Sequence, residues 1–174
     1  MSTGSEPAGP QHSGGRAPQE PRWLNNEEMR AWRSFIQVGV LLNRRIDQQL
    51  KEDSGLSHVQ YAVLIWLTEA PGGELRMTEL AGIMNTSKSG LTYQVNQLEK
   101  AGLVRRKPDP DDVRGVIAAI TEEGRRQQAT AAPGHVALVR ELLIDLLTPE
   151  QLTAIADGLG EVRRRLREHE DNPH

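Results

Sequence analysis

Between residues 87 and 97 the chain gathers hydroxyl, amide and phenol side chains at helical spacing, and their chemistry is that of hydrogen bonding rather than of bond breaking. On a helix opening near Lys88 and closing near Lys100, about 100° per residue puts Leu91, Val95 and Leu98 on one side. The opposite side carries Ser89, Tyr93, Asn96 and Lys100, flanked by Thr92 and Gln97. A solvated helix face usually holds more Glu and Lys. This face holds few formal charges and many donors and acceptors, which suits base edges and phosphates. Thr86 or Ser87 supplies the helix cap. Lys88 and the unpaired N–H groups of the first turn suit a phosphate. An ordinary polar surface helix is the competing reading of the same residues.

Directly after this helix come Arg105, Arg106 and Lys107, then the tip Asp109-Pro110-Asp111-Asp112-Val113-Arg114-Gly115. Strands over Val104–Lys107 and Val116–Ile120 make this a hairpin whose tip is acidic except for Arg114. Acidic groups repel DNA unless they are occupied. Asp112 stands two residues before Arg114, so its carboxylate can hold the turn or orient the guanidinium. Arg114 is then available to a narrow minor groove, where A·T-rich sequence concentrates negative potential. A solvated hairpin with a turn held by aspartates is the alternative.

The elements that must position these groups are legible on both sides. Asn25 or Asn26, followed by Glu27 and Glu28, starts a helix along which Met29, Trp32, Ile36, Gly39, Leu42 and Ile46 recur, fading at Asp53-Ser54-Gly55. Ser57 with Gln60 is a capping box for a second helix, with Val59, Val63, Trp66 and Leu67 as its buried face and Pro71-Gly72-Gly73 as its stop. A short extended piece, Leu75 to Met77, leads to a third helix capped by Thr78. Gly102 ends the fourth helix. Thr121 with Glu122 and Glu123 opens a long fifth helix, which Pro133-Gly134 should kink or interrupt. Thr148-Pro149-Glu150-Gln151 opens the last helix, with Leu152, Ile155, Ala156, Leu159, Val162 and Leu166 on one stripe.

This order predicts a mainly α fold with a small β-wing: a winged helix-turn-helix domain over 57–121, flanked by an N-terminal helix over 23–56 and C-terminal helices over 122–169. Residues 1–22, rich in Gly, Pro, Ser and Gln, read as a disordered tail, and 170–174 as a second short tail.

Composition limits the function. With 21 Lys and Arg against 24 Asp and Glu, the net charge of −3 excludes coating of nucleic acid by bulk charge. Between Arg76 and Arg126, however, basic residues outnumber acidic ones by two. The chain has no cysteine, which excludes disulfides, thiol redox sensing and thiolate metal sites. Its five histidines, at 12, 58, 135, 169 and 174, have no helical ligand spacing, so no metal or other cofactor is expected; His169 and His174 with Glu170 and Asp171 could bind a metal only loosely, in a frayed tail. No glycine-rich phosphate loop and no nucleophile–base constellation points to an enzyme. Neither a transmembrane run nor an apolar leader is visible, so a cytoplasmic protein without membrane contact is expected.

Taken together, Ser87-Lys88-Ser89, Leu98-Glu99-Lys100-Ala101-Gly102-Leu103-Val104, the Asp112/Arg114 pair and Ile120-Thr121-Glu122-Glu123-Gly124 resemble the MarR family (multiple antibiotic resistance regulators), over about Trp32 to Leu166. The resemblance implies a homodimer that binds a pseudo-palindromic operator in double-stranded DNA and usually represses. It implies that Ser87, Lys88, Ser89, Thr92, Tyr93 and Gln94 lie in or near the major groove and Arg114 in the minor groove, with Asp112 bracing the wing. The chain departs from the family at Val113, where a second Arg is frequent, at Tyr93, where several members carry Arg, and at Ile120, where Leu is more usual.

The dimer also has a physical rationale. Leu142, Leu146, Leu152, Ile155, Leu159 and Val162 exceed what one small domain needs, so with the N-terminal helix they form an intersubunit bundle; an intrachain core is the alternative. Arg163, Arg164, Arg165 and Arg167 suit a helix C-terminus. The resemblance further implies an effector pocket lined by the first, second and fifth helices, near Trp32, Ile36, His58 and Tyr61. Such a wall suits a small phenolic or carboxylated aromatic; core positions for Trp32 and Ile36 and a solvent position for His58 are the alternative. The leading expectation is a repressor released by a small-molecule effector. Its rivals are a ligand-independent or architectural DNA-binding regulator and a winged-helix protein-interaction module.

Overall fold

The computed structural model describes residues 21–171, apart from the side chains of Glu170 and Asp171. Among the described residues six α-helices and three strands follow in the order α1 (Asn26–Ser54), α2 (His58–Glu69), β1 (Glu74–Arg76), α3 (Met77–Ile83), α4 (Lys88–Lys100), β2 (Val104–Pro108), β3 (Val116–Ile120), α5 (Glu122–Leu142) and α6 (Pro149–Asp171). The expected N-terminal tail lies outside the described residues except for Pro21 and Arg22. The expected C-terminal tail begins inside α6, whose last residue is Asp171, and its remainder lies outside them.

The described residues fall into two compact units, divided between Ile36 and Gln37. In the described part of the first, Asn25 caps α1: its Oδ1 accepts the N–H groups of Glu27 and Glu28 at 2.9 Å, while Glu28 accepts that of Asn25 at 2.8 Å. Trp32, Phe35 and Ile36 are exposed.

The second unit holds the hydrophobic core, built from Leu50, Tyr61, Val63, Leu64, Leu67, Leu80, Leu91, Val95, Leu98, Val104, Ala118 and their neighbours. Its helices start where side chains satisfy the free N–H groups of the first turn. Ser57 and Gln60 form the expected reciprocal box on α2, Thr121 Oγ1 accepts the N–H of Gly124 on α5, and Thr148 and Gln151 exchange bonds on α6. The buried face of α2 differs from the expected one. Val63 and Leu67 are buried, but Val59 and Trp66 are exposed, and Tyr61 and Leu64 take their places. The helix is apolar nearly all round, so periodicity alone does not choose its inner side.

Helix α3 begins two residues earlier than a cap at Thr78 implies. Its cap is Arg76, whose N–H donates to Glu79 Oε2 at 3.2 Å. The extended piece before it is a strand: β1 pairs antiparallel with β3, Leu75 opposite Ala118, so the sheet has three strands in the order β1-β3-β2. Helix α5 runs through Pro133 without interruption. One lost donor is offset by close packing on the end of α1: Gln127 Nε2 donates to Ser54 O at 2.7 Å, and a Cβ on Gly134 would come within 2.9 Å of Gln49 and Asp53 side-chain atoms. The apolar residues of α6 stay uncovered in the single chain, with Ile155, Leu159, Val162 and Leu166 all exposed. Among the described residues no helix is long and apolar enough to cross a membrane.

Candidate nucleic-acid interface

Helices α3 and α4 meet in a tight turn at Asn85, whose φ of 48° lies in the left-handed region that asparagine tolerates. Ser87 then caps α4, its Oγ accepting the N–H of Gly90 at 3.1 Å and lying 3.3 Å from Ser89 Oγ. Leu91, Val95 and Leu98 are fully buried, which fixes the rotation of the helix and turns Ser89, Thr92, Tyr93 and Lys100 outward. Tyr93 is 61 % exposed. The remaining polar residues are not equivalent to these. Gln94, Asn96 and Gln97 are half-buried, and Asn96 Oδ1 is buried with no hydrogen-bond partner among the described residues. Thr92 Oγ1 donates back to Lys88 O at 2.7 Å, so its proton is already committed and only its lone pairs remain free. Asn96 thus departs from the outer face read from helical angles.

An ion pair joins α4 to the first strand of the wing. Glu99 accepts the backbone N–H of Arg106 at 2.9 Å and lies 2.6 Å from its Nη2, tying the end of α4 to β2. These bonds from Arg106 hold the Glu99 carboxyl below its ordinary value. Lys107 pairs with Glu74 across the sheet at 2.6 Å. Two of the three basic residues leading into the wing are therefore neutralised within the fold, and Arg105 stays exposed without an ionic partner among the described residues.

At the wing tip Asp109 N–H donates to Gly115 O at 3.1 Å, and Gly115 N–H donates to Asp112 O at 2.8 Å. Asp112 Oδ1 accepts the backbone N–H of Arg114 at 2.9 Å. Of the two roles open to Asp112, the structure supports holding the turn rather than orienting the guanidinium. Arg114 is exposed, and its guanidinium has no partner among the described residues. Val113 stands fully in solvent at the apex. Sequence reasoning missed Arg76. Its Nε lies 2.6 Å from Oδ2 of Asp109, whose side chain is 1 % exposed; the contact is an ion pair rather than an aligned hydrogen bond. The only signal for it was an acidic tip facing an unassigned arginine more than thirty residues earlier.

A cleft of about 240 Å³ separates wing and helices, and it gathers Lys88 and Thr92 of α4 with Asp112 and Arg114 of the wing and Arg76 beneath them. Two cations with no ionic partner among the described residues, Lys88 of α4 and Arg114 of the wing, thus line the same cleft. Such an arrangement can receive a polyanion while polar groups of α4 meet what lies between its charges.

The residues expected at an effector site are distributed differently. Trp32 and Ile36 are exposed, at 54 % and 42 %. Tyr61 is buried, and its ring centroid lies 4.9 Å from that of His135 on α5, which in turn lies 6.3 Å from that of half-buried His58. Burial lowers the pKa of both histidines; Asp47 opposes the shift at His58, and His58 reinforces it at His135. Burial raises that of Tyr61. His135, which no motif or spacing singles out, is the group that joins the other two.

Comparison with known proteins agrees with this geometry. The MarR family model matches residues 56–116. The uncharacterised helix-turn-helix transcriptional regulator YfiV of Bacillus subtilis (strain 168) is 30 % identical over 82 % of this chain and 87 % of its own length. Among solved structures, AbsC of Streptomyces coelicolor, a MarR family transcriptional regulator, is 39 % identical, with a TM-score of 0.81 over 85 % of this chain and 99 % of that one. Sco3205 of the same organism, a MarR family regulator solved in complex with DNA, is 45 % identical, with a TM-score of 0.78 over 86 % of this chain and 91 % of that one. The chain belongs to the MarR family of winged helix-turn-helix, DNA-binding transcriptional regulators rather than to a family of enzymes.

Proposed function

We propose that this chain acts as a homodimer on a pseudo-palindromic operator and represses transcription until a small effector releases it. The observation that carries the DNA-binding geometry is that Lys88 and Arg114, with no ionic partner among the described residues, line one cleft together with Thr92 of α4. In this reading Ser87, Lys88, Ser89, Thr92, Tyr93 and Gln94 serve the major groove, and Arg114 enters the minor groove on a wing stiffened by Asp112. Half-buried Asn96 and Gln97 are secondary contacts. The DNA complex of Sco3205, at 45 % identity, supports the class of target.

The exposed stripe Ile155, Leu159, Val162 and Leu166 on α6 supports the dimer, because a monomer would leave it against water. The effector is a small aromatic or phenolic molecule, and the Tyr61–His135–His58 cluster suits it by its aromatic rings, of which half-buried His58 and His135 remain partly accessible.

The test is binding to the DNA upstream of the chain's own gene, with footprinting and titration of phenolic and carboxylated aromatic compounds. A two-fold symmetric footprint, with half-site centres about 10 base pairs apart, is expected, and it should be lost on effector addition. An asymmetric footprint would overturn the dimer geometry. A footprint indifferent to every compound would favour a ligand-independent regulator.

A further inference from the structure

We propose that Arg76 is the positioning residue that sets the wing relative to the reading helix, acting through Asp109 and without touching DNA. The inference rests on the DNA-binding reading above. Arg76 belongs to two elements at once. As the last residue of β1 it stands opposite Ile117 on β3, the strand that leaves the wing, and its N–H caps α3 through Glu79. Helix α3 leads through the turn at Asn85 directly into α4.

The side chain of Arg76 reaches the other way, into the wing. Its Nε lies 2.6 Å from Asp109 Oδ2, and its Nη2 lies 3.8 Å from Asp111 Oδ2. Asp109 is the one buried charged residue among those described. It is also the joint of the tip: its N–H meets Gly115 O, and its Oδ1 accepts the N–H of Asp111 at 3.0 Å. Gly115 packs so closely that a Cβ there would stand 2.7 Å from Asp109 Cβ. A buried carboxylate is tolerated only with a cation beside it. Take Arg76 away and Asp109 must reach water, which opens the closure that holds Asp112 and Arg114. One guanidinium therefore couples the start of the helix-turn-helix to the wing tip, across the cleft that Lys88 and Arg114 flank.

A phosphate-contacting Arg76 would give a different result from a positioning one, and salt dependence separates them. Each phosphate contact contributes about one unit to the slope of log K against log salt concentration. Arg76→Met, Asp109→Asn and the double variant should be measured on operator and scrambled duplexes across a salt series, beside wild type and Arg114→Ala. Both single variants should lose roughly tenfold or more on operator DNA, the double variant should lose no more than either, and the slope on scrambled DNA should stay at the wild-type value. Amide hydrogen exchange in the DNA-free protein should quicken at Asp111, Arg114 and Gly115 in all three, while α4 keeps its protection. A slope reduced by about one unit in Arg76→Met alone, or Asp109→Asn binding more tightly than wild type, would overturn the inference and make Arg76 a phosphate contact. Unchanged operator affinity in Arg76→Met with Arg114→Ala impaired would overturn the positioning role and leave the DNA-binding reading intact. Wild type that binds no duplex would overturn both.

Discussion

Asp112 holds Arg114 by the backbone and leaves its guanidinium unpaired: the carboxylate oxygen accepts the Arg114 N–H at 2.9 Å, and no acidic group among the described residues pairs with the side chain. The two residues thus divide one task. The aspartate fixes the direction of the tip, and the arginine keeps its charge for a partner. Arg114→Ala is expected to weaken operator binding by about 1–3 kcal/mol and to relax the preference for A·T pairs beneath the wing. Asp112→Ala should act in the same direction although it removes a negative charge, because a loosened tip must be ordered on binding. Simple charge repulsion predicts the opposite sign, so tighter binding by Asp112→Ala in a fluorescence-anisotropy titration would sink the bracing role.

Lys88 differs from Arg114 in what it can recognise. It stands at the start of α4 beside N–H groups that also favour an anion, a place for a phosphate rather than a base. Lys88→Ala should weaken operator and scrambled duplexes alike and lower the salt slope by about one unit. Loss confined to operator DNA would show that the lysine reads sequence instead.

How much of this site was visible beforehand follows from the range of the interactions. The caps at Asn25, Ser57, Ser87, Thr121 and Thr148 are local, each linking residues two or three apart, and all stood in the sequence. The rotation of α4 was legible for the same reason, since Leu91, Val95 and Leu98 define it by spacing alone. The Arg76–Asp109 pair and the His135 contacts join residues far apart in the chain, and no periodicity encodes them. The buried face of α2 failed differently: a helix apolar on most sides leaves the choice to its neighbours. Asn96 shows a limit of helical angles, which locate a residue around one helix but not relative to what packs over it.

The uncovered stripe on α6 leads to a prediction about assembly. Ile155, Leu159, Val162 and Leu166 are exposed in the single chain, at spacings of four, three and four residues. Such a row packs against an equivalent row when two helices cross. Leu159→Glu would place a charge in that contact, which is costly when buried unpaired. The variant should sediment as a monomer at micromolar concentration, keep its helical circular dichroism, and lose operator binding because paired half-sites need paired helices. Wild type running as a monomer in the same experiment would remove the dimer from the proposal.

The histidine pair on α2 and α5 makes stability depend on pH in a stated direction. His58 and His135 both titrate below their ordinary value of 6.5, chiefly because burial disfavours the charged ring; at His135 the neighbouring His58 adds to it. His135 Nδ1 is buried without a hydrogen-bond partner among the described residues, so a proton there would gain a charge and find no acceptor. A group whose folded pKa is depressed takes up protons more readily in the unfolded chain. Its stabilising contribution is therefore complete above pH 6.5 and is lost progressively as pH falls toward the folded value. Asp47 and Glu99 are also held below their ordinary values, but those values, 3.8 and 4.5, put their effects at lower pH. Between pH 7.5 and 5.5 the melting temperature of the DNA-free protein, measured at fixed protein concentration, should accordingly fall. His135→Gln keeps a polar side chain of similar reach and removes both the titration and the repulsion with His58, so its melting temperature should vary less over the same interval. A variant that retains the full wild-type slope would move the pH dependence away from His135, and a flat wild-type profile would show that neither ring is as secluded as its packing against Tyr61 implies.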